Sequence, residues 1–355
     1  MNSSREALIQ TFLNQVSLTS AAWQDAHRTA LAQDASFRRY FRLSLGKKSA
    51  LLMDAPPPEK PVLIFAQIAR FLNKMGLRAP GIIAIDNDHG LMLIEDFGDD
   101  TFTKILHEQP DSEQALYDMA IDTLIRLHQH DDFSALPLAP YNTDLLLSEA
   151  QLFIDWFFPA VTAVPATQAQ KEAYVQAWTN TFKNLKPHAD TLVLRDYHVD
   201  NLMRVAPVDG SDNSQANHKA QCGLLDFQDA AYGSPAYDLV SLIEDARRKI
   251  SPQLKQYCLV RYHAGMQNNA NALTPEAFSP WLNVLAAQRH AKVLGIFVRL
   301  YQRDQKNHYL KHLPHVLALF QSAIAREPLL SPVSEWVTDH LPFSNIDLNQ
   351  ITDHA

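Results

Sequence analysis

Apolar residues recur at three- and four-residue spacing between Arg5 and Val16, through Leu8, Ile9, Phe12, Leu13 and Val16, and predict an opening amphipathic helix. The pattern then changes. The run Ser36-Phe-Arg-Arg-Tyr-Phe-Arg-Leu-Ser-Leu45 is dense in aromatics with incomplete alternation. Gly46-Lys-Lys48 reads as a turn and Ser49-Ala-Leu-Leu-Met53 as a second strand, so the segment predicts a hairpin. Pro56-Pro-Pro58, with Pro61 following, fits neither a helix interior nor a central strand, because proline fixes φ and lacks an N–H; it marks an extended connector. A helical pattern from Val62 to Met75 stops at Gly76. Two short apolar runs, Ile82 to Ile85 and Leu91 to Ile94, flank Asp86-Asn-Asp-His-Gly90 and predict a second hairpin.

After Glu95-Asp-Phe-Gly98 the character shifts. Helical periodicity dominates from Asp111, over Ser112 to His128, Thr143 to Phe158 and Ala166 to Leu185. Strand-like interruptions are confined to Leu192 to Leu194, Leu202 to Val205 and Gly223 to Leu225, with a polar loop from Asp209 to Gln221 between the last two; beyond Pro235 the chain reads as helix nearly to its end. The expected fold class is α+β, with a small N-terminal antiparallel sheet and a helix over residues 1–97 and a larger, mainly helical part over residues 98–355.

A length of 355 residues agrees with two lobes, and a composition of 46% hydrophobic and 20% charged residues supplies a sizeable core. The formal net charge of -8, with no run of Lys and Arg, argues against a nucleic-acid partner. Cys222 and Cys258 fall in no ligand or disulfide pattern, which suits a reducing compartment. The polar start of the chain lacks the apolar stretch of a secretory signal, and no apolar run approaches the ~20 residues that span a bilayer. A cytoplasmic protein without a membrane partner is expected.

The chemistry concentrates in Leu194-Arg-Asp-Tyr-His-Val-Asp-Asn201 and, after a strand and a loop, in Leu224-Leu-Asp-Phe-Gln228. In kinases an Asp accepts the substrate hydroxyl proton, an Asn five residues later holds magnesium, and a later Asp at a strand end holds magnesium too. Asp196, Asn201 and Asp226 reproduce that order and spacing. The physical need is charge: the phosphates of ATP bring about four negative charges, which divalent metal and fixed donors must hold in line. One amide and one carboxylate provide hard oxygen ligands, while a carboxylate kept off the metal orients the attacking hydroxyl. A lone Arg-Asp pair would read as a surface ion pair. Together with Asn201, and with Asp226 set among Leu224, Leu225 and Phe227, that reading fails, since charged residues rarely sit in apolar runs without a partner. His198 packs, shapes the loop or takes a direct chemical role, and Asp200 reads as solvated in preference to ligating.

Arg195-Asp-Tyr-His-Val-Asp-Asn-Leu-Met203 and Leu224-Leu-Asp-Phe-Gln-Asp-Ala-Ala-Tyr-Gly-Ser-Pro-Ala-Tyr-Asp-Leu239 resemble the two core motifs of the aminoglycoside phosphotransferase and choline kinase superfamily. Within it, Arg195-Asp-Tyr197, Asp226-Phe-Gln-Asp-Ala230, Ser36-Phe-Arg-Arg-Tyr-Phe41 and Met53-Asp-Ala-Pro-Pro-Pro58 are most similar to the cell-wall recycling kinases that act on the anomeric hydroxyl of N-acetylmuramate and N-acetylglucosamine. The resemblance covers roughly residues 30–245. It implies a protein-kinase-like two-lobed fold, with a nucleotide-binding lobe over 1–97 and a catalytic and substrate-binding lobe over 98–355. It also implies ATP and Mg2+ as cofactors and an amino sugar as the small-molecule partner; a monomer is expected. Transfer of the terminal phosphate to the C1 hydroxyl would give sugar 1-phosphates for peptidoglycan recycling. An anomeric hydroxyl is more acidic than an ordinary alcohol, so a carboxylate such as Asp196 serves as its proton acceptor even with an unshifted pKa.

The chain departs from the family at two positions. Leu194 stands where His is common, and Met53 stands where kinases place a phosphate-binding Lys. Another cation must substitute, from Arg38, Arg39, Arg42, Lys47 and Lys48, with Arg39 or Arg42 preferred. Gln33-Asp-Ala-Ser-Phe37 would be the turn over the phosphates, though without the usual glycines. Leu93-Ile-Glu-Asp-Phe97 resembles the hinge segment, where backbone groups of Glu95 and Phe97 would meet adenine. Asp238 is expected to tie the catalytic loop. Arg195, and Asp155 and Trp156 from Gln151-Leu-Phe-Ile-Asp-Trp156, are the expected substrate-binding residues. Two alternatives differ only in the acceptor or in activity: a kinase of another alcohol (choline, homoserine, a pentose or an aminoglycoside), or a catalytically dead kinase-like binding protein, against which the intact trio argues.

Overall fold

The computed structural model describes residues 3–31, 38–57, 62–206, 220–270, 272–341 and 343–353. The chain separates into two compact units, one of Met1–Thr123, Ser134–Pro137 and Val199–Asp229, the other of Leu124–Phe133, Leu138–His198 and Ala230–Ala355.

The first unit opens with helix α1 (Ser3–Ser17). Of its predicted stripe, Ile9, Phe12, Leu13 and Val16 are buried against Trp23 and the inward-facing Phe41, Leu43, Leu52, Leu91 and Leu93 of a sheet, while Leu8 is half-buried. That sheet comprises β1 (His27–Ala30), β2 (Arg39–Leu45), β3 (Lys48–Asp54), β4 (Ile82–Asp86) and β5 (Leu91–Glu95), all antiparallel, in the order β1-β2-β3-β5-β4. Both predicted hairpins are present. The first closes with Leu45 opposite Lys48, and Gly46 at φ 61 takes the left-handed conformation that a two-residue hairpin turn requires. Strand β1 had no counterpart in the pattern because it is mostly exposed and offers no alternation to read. Helix α2 (Val62–Lys74) buries Val62, Phe65, Ala66, Ile68, Ala69 and Leu72, a stripe of helical period, and ends before Gly76 at φ 74.

The same unit takes in α3 (Phe102–Glu108), capped by the Thr101 side chain, most of α4 (Glu113–His128), and a ribbon. The ribbon pairs β8 (Leu202–Val205) with β9 (Gln221–Leu224) antiparallel, Leu202 opposite Leu224. It is stitched in by the Leu224 N–H on the Arg78 carbonyl at 2.7 Å and the Arg204 N–H on the Asp100 carbonyl at 2.9 Å. Gly223 permits this: a Cβ there would lie 2.4 Å from Val205 Cγ2 and 2.9 Å from the Phe97 ring.

The second unit holds a short sheet of β6 (Ala139–Pro140), β10 (Ala231–Gly233) and β7 (Thr191–Val193), with β10 central. Its helices are α5 (Thr143–Leu152), α6 (Phe158–Thr162), α7 (Gln168–Lys183), α8 (Ala236–Ile243), α9 (Pro252–Met266), α10 (Pro275–Gln302), α11 (Leu313–Arg326), α12 (Ser331–His340) and α13 (Gln350–Asp353). The helix expected from Thr143 to Phe158 is interrupted by a π turn at Phe153–Phe157. There Phe153 packs against Phe157, Tyr174 and Phe320 at centroid distances of 5.2, 5.8 and 5.3 Å. Helix α10 is the spine of this unit and is buried along most of its length. It approaches α5 so closely that a Cβ on Gly295 would lie 2.1 Å from the Leu152 carbonyl oxygen. Among the described residues, no helix is long and apolar enough to cross a membrane.

Candidate active site

The ribbon explains how Asn201 and Asp226 are brought together. Asn201 immediately precedes β8, Asp226 follows β9 by two residues, and the Leu225 N–H donates to the Asn201 carbonyl at 3.0 Å. The two oxygen-bearing residues therefore lie at the same end of one two-stranded element. Asp226 sits at φ 56, a left-handed conformation uncommon for a side chain of its size and of the kind that active sites maintain. The next two residues hold it there: Phe227 is fully buried with its ring 4.7 Å from Phe65 of α2, and the Gln228 side-chain amide donates to Asp226 Oδ1 at 2.6 Å. Asp200, read as solvated, accepts the Thr103 hydroxyl and so docks the loop on α3. One amide and one carboxylate from neighbouring backbone positions fit a magnesium ion, which takes few protein ligands and completes its shell with water and phosphate oxygens.

The expected cations of the sheet are engaged. Arg39 shares the fully buried Asp54 with Arg5, whose Nη2 lies 2.6 Å from Oδ1. Arg42 meets Asp96 at 2.7 Å and Asp99 at 2.8 Å, and the Asp99 hydrogen bond, ahead of desolvation, raises its pKa. Met53 is buried in β3, as an apolar side chain would be. The turn expected at Gln33 to Phe37 lies outside the described residues. In the hinge-like segment, Glu95 pairs with Arg78 at 2.6 Å, and its own N–H donates to the Gly81 carbonyl at 2.8 Å. The Arg78 guanidinium lies 4.9 Å from the centre of the Phe97 ring. Nearby, burial drives the Tyr40 hydroxyl up to about 12, with Arg38 opposing and Asp226 adding to the rise.

In the second unit, Asp196 sits in a cluster that the motif alone did not reveal. Asp238, fully buried at the start of α8, accepts the Leu194 N–H at 2.6 Å and the Arg195 N–H at 2.8 Å, the tie that was expected of it. Burial pushes its carboxyl up to about 7 against the pull of those two donors. Arg195 is held at φ 71. Its guanidinium pairs with Glu149 of α5, which also accepts the Tyr141 hydroxyl at 2.5 Å and faces Lys292 Nζ at 2.9 Å. Arg289 of α10 donates to the Arg195 carbonyl at 3.0 Å and lies 3.7 Å from Asp196 Oδ1. Desolvation raises the Asp196 pKa, but Lys292, Arg289, His198 and Arg195 outweigh it and hold the carboxyl at about 2. His198 is buried with Nε2 3.3 Å from Arg247, and burial lowers its pKa, which fits packing and loop shaping over acid–base work.

Glu149, Arg289 and Lys292 are the residues that motif reading missed. One signal existed. Gln288-Arg-His-Ala-Lys292 interrupts the apolar run from Leu282 to Phe297, and charged residues in such a run need partners. The expected acceptor contacts fare differently: Arg195 belongs to the cluster, whereas Asp155 is exposed on the π turn and pairs with Lys171 at 2.5 Å, with Trp156 half-buried beside it.

A model described as "Phosphotransferase enzyme family" matches residues 27–273. The chain belongs to this family. Among curated proteins, an N-acetylmuramate/N-acetylglucosamine kinase of Caulobacter vibrioides is 32% identical over an alignment covering 96% of this chain and 98% of the relative. The kinases of that name from Pseudomonas putida and Neisseria meningitidis are 33% and 32% identical, covering 88% and 87% of this chain and 87% and 89% of theirs. Solved phosphotransferase structures agree in fold. A choline/ethanolamine kinase family protein from Mesorhizobium loti superposes with a TM-score of 0.60 at 12% identity, covering 94% of this chain and 99% of that one. An ADP-bound aminoglycoside phosphotransferase gives 0.56 at 13%, covering 91% and 99%. The fold is thus the kinase-like α+β fold expected, with an antiparallel N-terminal sheet and a mainly helical remainder.

Proposed function

We propose that this phosphotransferase is a cytoplasmic kinase that moves the terminal phosphate of ATP to the anomeric C1 hydroxyl of N-acetylmuramate and N-acetylglucosamine, giving sugar 1-phosphates for cell-wall recycling. The observation that carries this reading is the similarity, over nearly its whole length, to kinases curated for those two sugars. The kinase-like fold and the Asp196, Asn201 and Asp226 trio support it.

Asn201 and Asp226 would hold Mg2+, which when bound neutralises charge on the phosphates. Asp196, ionised and with no ligand role assigned to it, orients the C1 hydroxyl and accepts its proton as the oxygen attacks phosphorus. Because the hemiacetal hydroxyl is comparatively acidic, a carboxylate with a low pKa suffices as a late acceptor. Adenine would meet the Glu95 carbonyl and the Phe97 N–H, since the Glu95 N–H is already committed to Gly81.

For the missing lysine, charge counting favours Arg39 over Arg42. Arg5 and Arg39 share one carboxylate and leave a net positive charge, whereas Arg42 faces two carboxylates. Arg39→Ala should raise the KM for ATP about tenfold, the size of one lost charge-assisted hydrogen bond, and Arg42→Ala less than about threefold. Steady-state kinetics at saturating acceptor decide between them; the reverse order would transfer the role to Arg42.

The function itself is tested by ADP release from purified enzyme offered N-acetylmuramate, N-acetylglucosamine, choline and kanamycin. Turnover of both amino sugars is expected. Turnover of choline or kanamycin with silence on the amino sugars would reject the acceptor assignment.

A further inference from the structure

We propose that Arg289 is a positioning residue for Asp196: its guanidinium holds the peptide preceding the catalytic carboxylate by its carbonyl and fixes the carboxylate's direction. The inference rests on the reading of Asp196 as the group that receives the acceptor's proton.

Arg195, directly before Asp196, has φ 71, a conformation that L side chains keep only when their surroundings impose it. The surroundings do so from both sides. Asp238, on α8, grips the N–H groups of Leu194 and Arg195, and Arg289, on α10, grips the Arg195 carbonyl with Nη1 at 3.0 Å. A buried carboxyl on the donors and a guanidinium on the acceptor hold this peptide pair in one orientation. The other arm of the same guanidinium, Nη2, lies 3.7 Å from Asp196 Oδ1, so one rigid plane spans the strained peptide and the carboxylate.

Arg289 is itself fixed. It is 4% exposed, Nη1 also reaches the Tyr237 hydroxyl at 3.3 Å, and the guanidinium carbon lies 5.3 Å from the centre of that ring. Lys292, one turn on, reaches the same hydroxyl at 3.3 Å but is paired with Glu149 at 2.9 Å, as is Arg195. The charge of Arg289 is therefore left to face Asp196. Among the described residues, the charged and titratable groups that act on Asp196 include Lys292, Arg289, His198 and Arg195, with Asp238 bonded to the Leu194 and Arg195 N–H groups. A lysine at 289 would keep the charge and lose the planar fork that makes two contacts at once.

The test is a double-mutant cycle read in kcat, with whichever alcohol the wild type turns over as acceptor, so that a wrong acceptor assignment leaves the cycle intact. Arg289→Lys should lower kcat about 10- to 100-fold, with KM for ATP and acceptor within about threefold, because misplacement of a reacting group acts on the chemical step. In an Asp196→Asn background the same change should alter the residual rate less than about threefold, since there is no carboxylate left to position. Equal losses in both backgrounds would show a general structural role and overturn the proposal, as would an unchanged kcat. Tyr237→Phe provides a second arm that keeps the ring and removes only the anchoring hydroxyl. A three- to tenfold fall in kcat, absent from the Asp196→Asn background, is expected on the order of one weakened hydrogen bond, and no change in kcat contradicts it.

Discussion

Asp196→Asn should lower kcat by at least about 10²-fold while ATP and Mg2+ bind within about threefold of wild type, because loss of the proposed general base would fall on the chemical step and not on nucleotide affinity. The asparagine matches the carboxylate in shape, so the cluster of Arg289, Arg195 and Asp238 around the loop persists and the rate reports on charge. The titration behaviour sharpens the expectation. With four neighbouring basic residues holding the carboxyl at about 2, the group is ionised at every pH from about 4 upward, and falling pH removes no base form in that window. An acid limb of kcat between pH 5 and 7 that vanishes in Asp196→Asn would contradict the low pKa. So would a variant that retains most of its turnover.

Asp226→Ala should have the other large effect, of a different kind: kcat falls by at least about 10²-fold and Mg-nucleotide binding weakens by tenfold or more, since a carboxylate is among the few protein ligands such an ion takes. Asp226 also occupies a left-handed position, which alanine tolerates poorly, so Asp226→Asn is the companion variant; asparagine accepts that conformation and retains one oxygen. Titration calorimetry with ATP and Mg2+ separates the two acids. Tight nucleotide binding in both Asp226 variants would remove Asp226 from the metal role, and weak binding in Asp196→Asn would blur the division of labour between them.

The reasons these acids were legible, and their supports were not, are physical. Asp196, Asn201 and Asp226 lie within two short local segments, and their spacing is dictated by a loop, a strand and a turn, all of which leave marks along the chain. Glu149, Arg289 and Lys292 reach the same loop from α5 and α10, elements far away in sequence. Only folding brings them in, and the chain announced them merely as charges in an apolar run. The same distinction holds for the fold. Strands β2, β3 and β5 carry buried faces and were read, whereas exposed β1 and the two-residue β6 have no alternation to detect. The π turn after α5 escaped because one extra residue in a turn leaves an apolar stripe almost unchanged. Its consequence is chemical: it places Asp155 on an exposed face with Lys171, and so Arg195, bound to Glu149, is the stronger acceptor-side candidate.

Two-dimensional proton–phosphorus correlation NMR of the product formed from N-acetylglucosamine, ATP and Mg2+ tests the proposed activity most directly. The expected spectrum couples the new phosphorus to the H1 proton of the sugar and is absent when Asp196→Asn replaces the wild type. Coupling to H6 or to a ring proton other than H1, or no phosphorylated sugar from an enzyme that turns over an amine-bearing alcohol, would contradict it.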